Sequence, residues 1–474
     1  GQRVGAFQPF DNTFTVANSA LFQRANSESL SKTPSGAGSS TTTGTFNVWI
    51  KQGLSLSNRA PLIYADGASS DFQMELNIDG NNKLRVDLSY SGANHIKLST
   101  QAFEDASQWS MVTCILDTSN GTASERIRLY WNGNRIALTT DNAIASSQAI
   151  IIGSAVEHQI GAYETSYYYD GYMSEVVYTD GQAYEPSSFG QVDTSTNRWI
   201  PKDVSGLTFG TNGFYLNFAA SGDVGNDVSG NNNDFTNNNT VVQTTDSPTT
   251  NFAVLDPNVI SGGAVTLSAG NLTQTGGATT VTCNVFATLP MRSGKWIMAG
   301  RPNLAQNYEQ AIYVANETGV AANTTRMDQD TTGNFIGLDI STLNALETQQ
   351  GAGVQNVNIS PSLVGGTDYT VLAMDADNKK VYIGWHDVSG STTYWLGNDR
   401  STWNGNPATG AGAFSIAGSE FKFVTASYSG RGGTVDFGQG TFLSNVTIPT
   451  GYLALSQDNM ASSDQFISAF SWIK

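Results

Sequence analysis

The sequence has little charge, few cysteines and no long apolar run. Only 13% of its 474 residues are Asp, Glu, Lys or Arg, compared with roughly 25% in an ordinary globular domain. Two cysteines, Cys114 and Cys283, are too few for a disulfide framework, and we expect both to be small buried side chains. No stretch reaches the about 18 consecutive apolar residues that a membrane-spanning helix needs. The sequence therefore predicts no membrane span.

Basic residues are also scarce. The formal net charge is −17, whereas nucleic-acid binding needs clustered Lys and Arg to neutralise phosphates. This balance argues against a nucleic-acid partner and favours a soluble protein that repels its neighbours. The chain begins with Gly1 and shows no signal peptide, so we expect either a processed start or a piece of a longer protein.

The polar character comes from Asn, Ser, Thr and 49 glycines, a composition that suits short strands joined by turns. Apolar and polar residues alternate in several segments, as they do in half-buried strands. Three hairpins are predicted from this alternation, with turns at 79–82, 132–133 and 375–379. The second hairpin returns through residues 135–138. Without a long amphipathic helix, the fold class is all-β.

Domain boundaries are predicted from shifts in composition. Residues 1–26 precede the regular alternation and are too apolar for a free tail, so we expect an anchoring arm that contacts another protein. The arm carries Phe7, Phe10, Phe14 and Phe22. Segment 223–239 is rich in Asn and too polar for a core. The predicted order is an arm (1–26), a first sandwich (27–205), an Asn-rich connector (206–262), a second sandwich (263–460) and a tail (461–474).

Segments of the first sandwich resemble, in the same order, strands of the laminin-G and concanavalin A-like lectin family. They are 45–51, 109–114, 128–133, 151–153 and 169–176. Segments of the second sandwich resemble the SPRY family, and they are 294–296, 334–338, 368–385, 435–442 and 449–455. The resemblance implies two successive antiparallel β-sandwiches, a concanavalin A-like jelly roll followed by a SPRY-like bent sandwich.

The pairing of these modules through an Asn-rich connector is similar to structural proteins of marine tailed bacteriophages. The segment Asp246-Ser-Pro-Thr-Thr-Asn-Phe-Ala253 shares in this resemblance. The resemblance implies an adhesion protein of a fibre, spike or capsid appendage on the virion surface, or alternatively an extracellular protein. Its expected partners are other virion proteins, further copies of the chain and a host-surface glycan. The final segment, 470–474, echoes 47–51 and implies a further module.

Two other functions stay open at this stage: a purely structural capsid decoration or cement protein, and a polysaccharide depolymerase. Retaining glycoside hydrolases need two carboxylates about 5–5.5 Å apart, and on a jelly-roll strand the pattern Glu-x-Asp-x-x-Glu supplies them. The chain has no such run. Its nearest pair, Glu75 and Asp79, includes a turn residue and is predicted to lie on a solvated face. The sequence therefore predicts no catalytic residues and a protein that is not an enzyme.

Candidate glycan sites are aromatic residues beside polar ones, because sugars bind to aromatic faces with hydrogen-bonding groups nearby. The candidates are Tyr163, Tyr167, Tyr168, Tyr169 and Asp170 in the first sandwich, and Trp395 and Trp403 in the second. The alternative for each is packing in the core or at a subunit interface. Because a strand buries only alternate side chains, three consecutive tyrosines cannot all enter one core face.

Calcium is a candidate cofactor, since the resemblance to the first family implies binding through loop carboxylates and carbonyls. Asp66, Asp71 and Asp170 lie near predicted turns and have suitable oxygen atoms. The three histidines, His95, His158 and His386, are separated in sequence and accompany no catalytic or zinc motif. Each is predicted to be a surface or packing residue.

Overall fold

A computed structural model describes residues 14–53, 59–68, 70–76, 81–140, 142–194, 196–261, 263–277, 282–302, 311–322, 333–342, 345–350, 353–358, 364, 366–428 and 431–460. The chain divides into two compact units, and the boundary between them lies between Thr250 and Asn251. We call them the N-terminal unit and the C-terminal unit. Strands make up nearly all of the regular secondary structure in both, and the predicted all-β class is confirmed.

The strands of the N-terminal unit are short and follow one another closely. In chain order they are β1 (Ser19–Phe22), β2 (Ser29–Lys32), β3 (Thr43–Gln52), β4 (Ala60–Gly67), β5 (Ser70–Leu76), β6 (Lys83–Tyr90), β7 (Ala93–Ala102), β8 (Ser110–Asp117), β9 (Ile127–Trp131), β10 (Asn134–Arg135), β11 (Leu138–Thr140), β12 (Glu157–Ile160), β13 (Ala162–Tyr163), β14 (Tyr167–Tyr168), β15 (Gly171–Asp180), β16 (Gly190–Val192), β17 (Trp199–Pro201), β18 (Phe214–Leu216), β19 (Thr236–Asn238) and β20 (Val242–Thr244).

Two eight-stranded antiparallel sheets form this unit. The first has the order β10-β9-β8-β3-β15-β1-β20, with β18 also paired to β15. The second has the order β11-β7-β6-β5-β4-β12-β2-β19. Strands β13 and β14 form a separate small hairpin, as do β16 and β17. One buried cluster joins both sheets, for example Phe46 of β3 with Phe72 and Met74 of β5. Each such side chain contributes about 1.5–3 kcal/mol on burial, so this cluster is the core that holds the sheets together.

The alternation in the sequence predicted the first two hairpins well. Strands β5 and β6 pair with Met74 opposite Val86 on the core face. Asn132 and Gly133 both have positive φ, 48° and 75°, as a two-residue hairpin turn requires between β9 and β10. The return strand, however, ends at Arg135, and Leu138 begins a strand that pairs with β7 in the other sheet.

The structure differs from the predicted arm at 1–26. Strand β1 pairs with β15 on one side and β20 on the other, and Phe22 is fully buried in the core. Phe14 is half-exposed, while Phe7 and Phe10 lie outside the described residues. Both partner strands of β1 lie more than a hundred residues later in the chain, and no local pattern in residues 19–26 indicates them.

The predicted connector at 206–262 is also part of the folded units. Strands β18, β19 and β20 pair with β15, β2 and β1, and they complete both sheets of the N-terminal unit. Core side chains come from the same stretch, including Phe214, Phe218 and Phe235. The apolar residues there are too widely spaced to show a period-two alternation in the sequence. Each of these three side chains nevertheless packs between the two sheets. The predicted tail at 461–474 lies outside the described residues.

The C-terminal unit contains strands β21 (Leu255–Ser261), β22 (Val265–Ser268), β23 (Thr273–Gly276), β24 (Thr282–Ala287), β25 (Lys295–Pro302), β26 (Ala311–Asn316), β27 (Phe335–Thr342), β28 (Ala345–Gln350), β29 (Gly353–Asn358), β30 (Tyr369–Asp375), β31 (Lys380–Asp387), β32 (Thr392–Trp395), β33 (Phe414–Ser415), β34 (Phe421–Tyr428), β35 (Gly432–Asp436) and β36 (Leu453–Ala454). Its helices are α1 (Glu317–Ala322) and α2 (Phe442–Asn445).

Two larger sheets also form the C-terminal unit. One has the order β21-β24-β34-β26-β27-β28-β29, and the other β22-β23-β35-β25-β30-β31-β32, with β33 on β31 and β36 on β25. The predicted third hairpin is present, because β30 and β31 pair across the turn after Asp375. Cys114 and Cys283 are buried and form no disulfide with each other, as predicted. No helix within the described ranges has the length and apolar character needed to cross a membrane.

Candidate functional site

The second sheet of the N-terminal unit has one apolar face and one polar face. On β5, Phe72 and Met74 point into the core, so Asp71 and Gln73, which alternate with them, lie on the opposite, outer face. The outer face continues onto β6 through Asp87, which lies directly opposite Gln73. This polar face positions the candidate site.

The small hairpin of β13 and β14 contacts β4 of this sheet. Tyr163 and Tyr167 are directly opposite each other in the hairpin, and both are half-exposed. The Tyr163 ring packs on the buried Tyr64 of β4, with 4.6 Å between ring centroids, and lies 6.1 Å from the ring of Tyr167. The hairpin therefore adds two partly accessible aromatic rings to this outer face, on which Tyr64 also lies.

Arg59 holds the two tyrosine rings in place from one side. Its guanidinium carbon lies 4.2 Å from the Tyr163 ring centroid and 4.9 Å from that of Tyr167. Its Nε donates to Glu75 Oε2 at 2.6 Å, and a second nitrogen donates to Gln73. Cation–π contacts of this kind contribute about 0.5–2 kcal/mol, and the ion pair fixes the guanidinium beneath the rings.

Two carboxylates complete this region. Asp66 and Asp71 are directly opposite each other on β4 and β5, and Tyr64 donates its hydroxyl to Asp66 Oδ1 at 3.1 Å. Asp66 is exposed and Asp71 half-buried, and one oxygen of Asp71 has no hydrogen-bond partner within the described part of the chain. Burial raises the pKa of Asp71, and the nearby carboxylates Asp87 and Asp66 raise it further.

We call this arrangement the tyrosine patch, and it consists of Arg59, Tyr64, Asp66, Asp71, Tyr163 and Tyr167. Sequence reasoning identified Tyr163, Tyr167, Asp66 and Asp71 as candidates but assigned the tyrosines and the aspartates to different ligands. It missed Arg59 and Tyr64. Strand alternation in β4 places Tyr64 and Asp66 on one face. This spacing is the feature of the sequence from which their proximity could have been predicted.

A buried charge network lies beside the patch. Glu75 accepts from Arg59 through Oε2 and from Arg85 through Oε1, at 2.6 and 2.9 Å. Arg85 also binds Asp87 Oδ2 at 2.7 Å, and Gln73 donates to the same oxygen at 3.1 Å. The carboxylates of Glu75 on β5 and Asp87 on β6 thus share the guanidinium of Arg85. A search of the sequence for carboxylate pairs within one strand does not find this arrangement. Asp79, the residue paired with Glu75 in the sequence, lies outside the described residues.

The remaining tyrosines of the first candidate cluster have different environments. Tyr168 is half-exposed, and its carbonyl accepts from Arg24 Nε at 2.7 Å. Tyr169 is buried, packs edge-on against Phe22 and points its hydroxyl at the carbonyl of Lys51. Tyr167 and Tyr168 therefore lie at the surface and Tyr169 in the core, a division that comes from the end of β14 at Tyr168 and not from strand alternation.

The two tryptophan candidates lie in the C-terminal unit. Trp395 is buried in a core cluster with Tyr382 and Phe442, which leaves it little surface for a ligand. Trp403 is half-exposed and packs edge-on against the buried Trp385, with 6.4 Å between centroids. The two residues are thus not presented together on one accessible face.

The three aspartates proposed as calcium ligands do not form one site. Asp66 and Asp71 are adjacent, whereas Asp170 is buried next to Gly53 and interacts electrostatically with Arg24. Among the residues that the structure describes, no group of three or more His, Cys, Asp and Glu side chains has a metal-binding arrangement.

The histidines occupy packing positions or partly exposed ones. His158 is buried; Gly153 donates its N–H to Nε2 at 2.9 Å, and Nδ1 lies 2.8 Å from the Val156 carbonyl. Burial lowers the pKa of His158 to about 4. His386 is buried against Tyr369, and the half-exposed His95 stacks on Tyr90.

Residues 26–182 match the family described as the Concanavalin A-like lectin/glucanases superfamily. This range contains the whole tyrosine patch and agrees with the resemblance of segments 45–176. No curated protein matches the chain.

Three solved structures illustrate what the chain is similar to. The SPRY domain of human HERC1 has 14% identity and a TM-score of 0.27, covering 38% of this chain and 94% of that one. A heptameric SAP-like pentraxin from Limulus polyphemus has 12% identity and a TM-score of 0.32, covering 49% and 96%. Domains LG4-5 of the mouse laminin alpha1 chain have 8% identity and a TM-score of 0.30, covering 90% and 91%. These similarities concern the fold alone.

Proposed function

We propose that this protein is a non-enzymatic adhesion protein of a virion surface, and that its tyrosine patch binds a host-surface glycan. The observation that carries the proposal is the pair of half-exposed rings, Tyr163 and Tyr167, fixed over a polar sheet face by Arg59. Sugar rings bind through C–H groups on aromatic faces and through hydroxyls to nearby acceptors.

The geometry favours a small polar ligand with several hydroxyl groups. The rings are held by Tyr64 and Arg59 before any ligand binds, so ordering them at binding costs little conformational entropy. Asp66 is exposed beside them and has acceptor oxygens for hydroxyl donors. A protein ligand would need a larger apolar contact area than two tyrosine edges supply.

The carboxylates next to the patch support binding rather than hydrolysis. A retaining or inverting glycosidase needs one carboxyl free to protonate the leaving group and another free to attack or to activate water. Both oxygens of Glu75 are occupied by Arg59 and Arg85, and Asp87 is shared between Arg85 and Gln73. We therefore propose that the polar face has no hydrolytic activity.

The virion assignment rests on the resemblance of the sequence to structural proteins of tailed bacteriophages. The low charge content and the acidic balance fit a protein that is exposed to solvent on a particle. The family match over residues 26–182 supports a lectin-like role for the N-terminal unit.

A glycan array with the purified full chain, followed by adsorption to host cells, tests the proposal. Tyr163→Ala and Tyr167→Ala should each weaken glycan binding about tenfold, since one aromatic contact is worth about 0.5–1.5 kcal/mol beyond the area it buries. Tyr184→Ala is the matched control, because Tyr184 is a half-exposed tyrosine of the same unit that packs on Phe189 instead.

Normal glycan binding and adsorption in both patch variants would contradict the binding site. Failure of particle assembly in those variants, with glycan binding absent from the wild type as well, would assign the rings to a subunit interface. Release of reducing ends from a polysaccharide, abolished by Glu75→Gln or Asp87→Asn, would favour the depolymerase alternative.

A further inference from the structure

A buried ion pair lies on the first sheet of the N-terminal unit, away from the tyrosine patch. Lys51, near the end of β3, places its Nζ 2.7 Å from Oδ2 of Asp246, in the segment that follows β20. Neither side chain has any exposed surface. The two residues are 195 positions apart in the chain, so the contact joins the middle of the sheet to the last segment of the unit.

The surroundings of the pair are aromatic and fixed. Trp109 donates its Nε1–H to the other oxygen of Asp246, Oδ1, at 2.8 Å. The Tyr172 ring lies 5.7 Å from Lys51 Nζ, and the Trp109 and Tyr172 rings are 6.2 Å apart. The backbone at Asp246 is held by Ser19, whose hydroxyl donates to the Asp246 carbonyl at 2.5 Å. One amine and one carboxyl are therefore in contact, shielded from bulk solvent and with little freedom to separate.

Burial works against the charged forms of both groups. Removing an ammonium and a carboxylate from water carries a large desolvation penalty, which their attraction offsets only in part. Burial lowers the pKa of Lys51, and the attraction of Asp246 opposes this effect without cancelling it. Transfer of one proton from Nζ to Oδ2 along their hydrogen bond converts the ion pair into a neutral amine and a neutral carboxylic acid.

We propose that Lys51 and Asp246 condense to form an intramolecular isopeptide bond. The neutral Nζ attacks Cγ of Asp246 with its lone pair, and the negative charge that develops on Oδ1 is stabilised by the Trp109 N–H. A proton then passes from Nζ to Oδ2, the Cγ–Oδ2 bond breaks and one water molecule leaves. The product is a secondary amide between Nζ and Cγ. No oxidant, reductant or further reactant takes part, and the fixed contact replaces an encounter between free groups.

The bond links β3 to the end of the N-terminal unit. Strand β3 lies between β8 and β15 in the middle of the first sheet, and the Asp246 segment follows the edge strand β20. A covalent link between these positions closes almost the whole unit into one ring. Force applied to either end of the unit then acts on an amide bond and not only on the hydrogen bonds of the sheet. This inference is independent of glycan binding.

The mass of the denatured full chain tests the inference directly. We expect the wild type to be lighter than its sequence by one water molecule. Peptide mapping should give a branched peptide that contains both Lys51 and Asp246. Lys51→Met and Asp246→Ala should each have the mass of their sequence, and this readout does not require that the variants fold.

Asp246→Asn provides a second, nearly isosteric test. Its carboxamide can condense with Lys51 by losing ammonia instead of water, so the variant should be lighter than its own sequence by one ammonia. Trp109→Phe removes the donor to Oδ1 and should lower the cross-linked fraction at a given time after folding at least tenfold. A folded wild type that keeps its full sequence mass overturns the inference. So does a loss of water that maps to a linear peptide lacking the Lys51–Asp246 branch.

Discussion

Several ionisable residues are buried although the chain has few charges, and Glu175 illustrates how one is accommodated. It lies where the pairing of β15 with β3 is interrupted by a bulge, and its φ is positive at 48°. The side chain is buried, and Tyr215 donates its hydroxyl to Oε2 at 2.5 Å. Burial raises the pKa of Glu175 from 4.5 to about 7, although the hydrogen bond from Tyr215 opposes the shift.

Glu175 should make stability depend on pH. Because its pKa is higher in the folded state, its contribution is complete below pH 4.5 and is lost as the pH rises through 7. The loss approaches about 3 kcal/mol at high pH, since one pKa unit corresponds to about 1.4 kcal/mol. Glu175→Gln keeps the acceptor without the charge, so urea unfolding should show a gain of this order at pH 9 and little change at pH 4.

The exposed Glu157 provides the control for this experiment, because Glu157→Gln makes the same change of side chain at the surface of the unit. An equal gain for Glu175→Gln at both pH values would mean that strain at the bulge, and not ionisation, limits stability at this position.

At the scale of elements, the Asn-rich stretch shows how a polar segment can be ordered. Asp227 accepts N–H bonds from Tyr215, Ser229 and Asn233, at 2.8–2.9 Å. Asn231 and Asn233 donate to the Gly213 carbonyl, each at 2.9 Å. Side-chain bonds to backbone groups thus order this loop in addition to the core contacts of Phe235, which a count of apolar residues does not reveal.

Removal of the Asp227 carboxylate should destabilise the N-terminal unit. Asp227→Ala leaves the buried N–H of Tyr215 without its acceptor, which costs about 1–3 kcal/mol, so we expect the unfolding free energy to fall by about that amount. Asp223→Ala is the control, since Asp223 is exposed at the start of the same stretch. Equal stability of the two variants, measured by chemical denaturation, would show that the loop contributes nothing to the sheets it contacts.

At the scale of the whole molecule, each unit has its own core. The buried cluster that contains Phe46 and Phe72 belongs to the N-terminal unit, and clusters around Tyr369 and Tyr313 belong to the C-terminal unit. A compact unit with its own core is expected to fold without its neighbour. The two units can therefore be produced separately to test whether the N-terminal unit alone binds the glycan.

Residues 10–250 and 251–474, produced as separate chains, should each unfold cooperatively. Calorimetry should give midpoints within a few degrees of two transitions in the full chain, and the first piece should retain the glycan affinity of the full chain. A piece of residues 10–250 that stays unfolded would show that the N-terminal unit depends on the rest of the chain. The piece ends after Asp246, so it also retains both partners of the proposed cross-link.

The all-β class, the strand pairs of three hairpins and the burial of both cysteines were predictable from the sequence. Period-two alternation and turn residues act over a few positions, so a short segment of sequence is enough to predict these features. The same alternation predicted that Tyr167, Tyr168 and Tyr169 do not share one environment. Tyr163 and Tyr167 could be chosen as candidates from the sequence as well, because aromatic residues beside polar ones can be recognised there without knowledge of the fold.

Only the tertiary structure decided which distant residues meet. Phe22 found its place in the core because β15 and β20 flank its strand, and Arg59 reached Tyr163 because a hairpin more than a hundred residues later folds onto β4. Lys51 and Asp246 give no local signal of their contact. Side chains on neighbouring strands are close through sheet pairing, and antiparallel pairing joins segments at any separation along the chain. The sequence alone determined which functional side chains the protein has. The order of strands in the sheets determined which of these side chains lie next to each other.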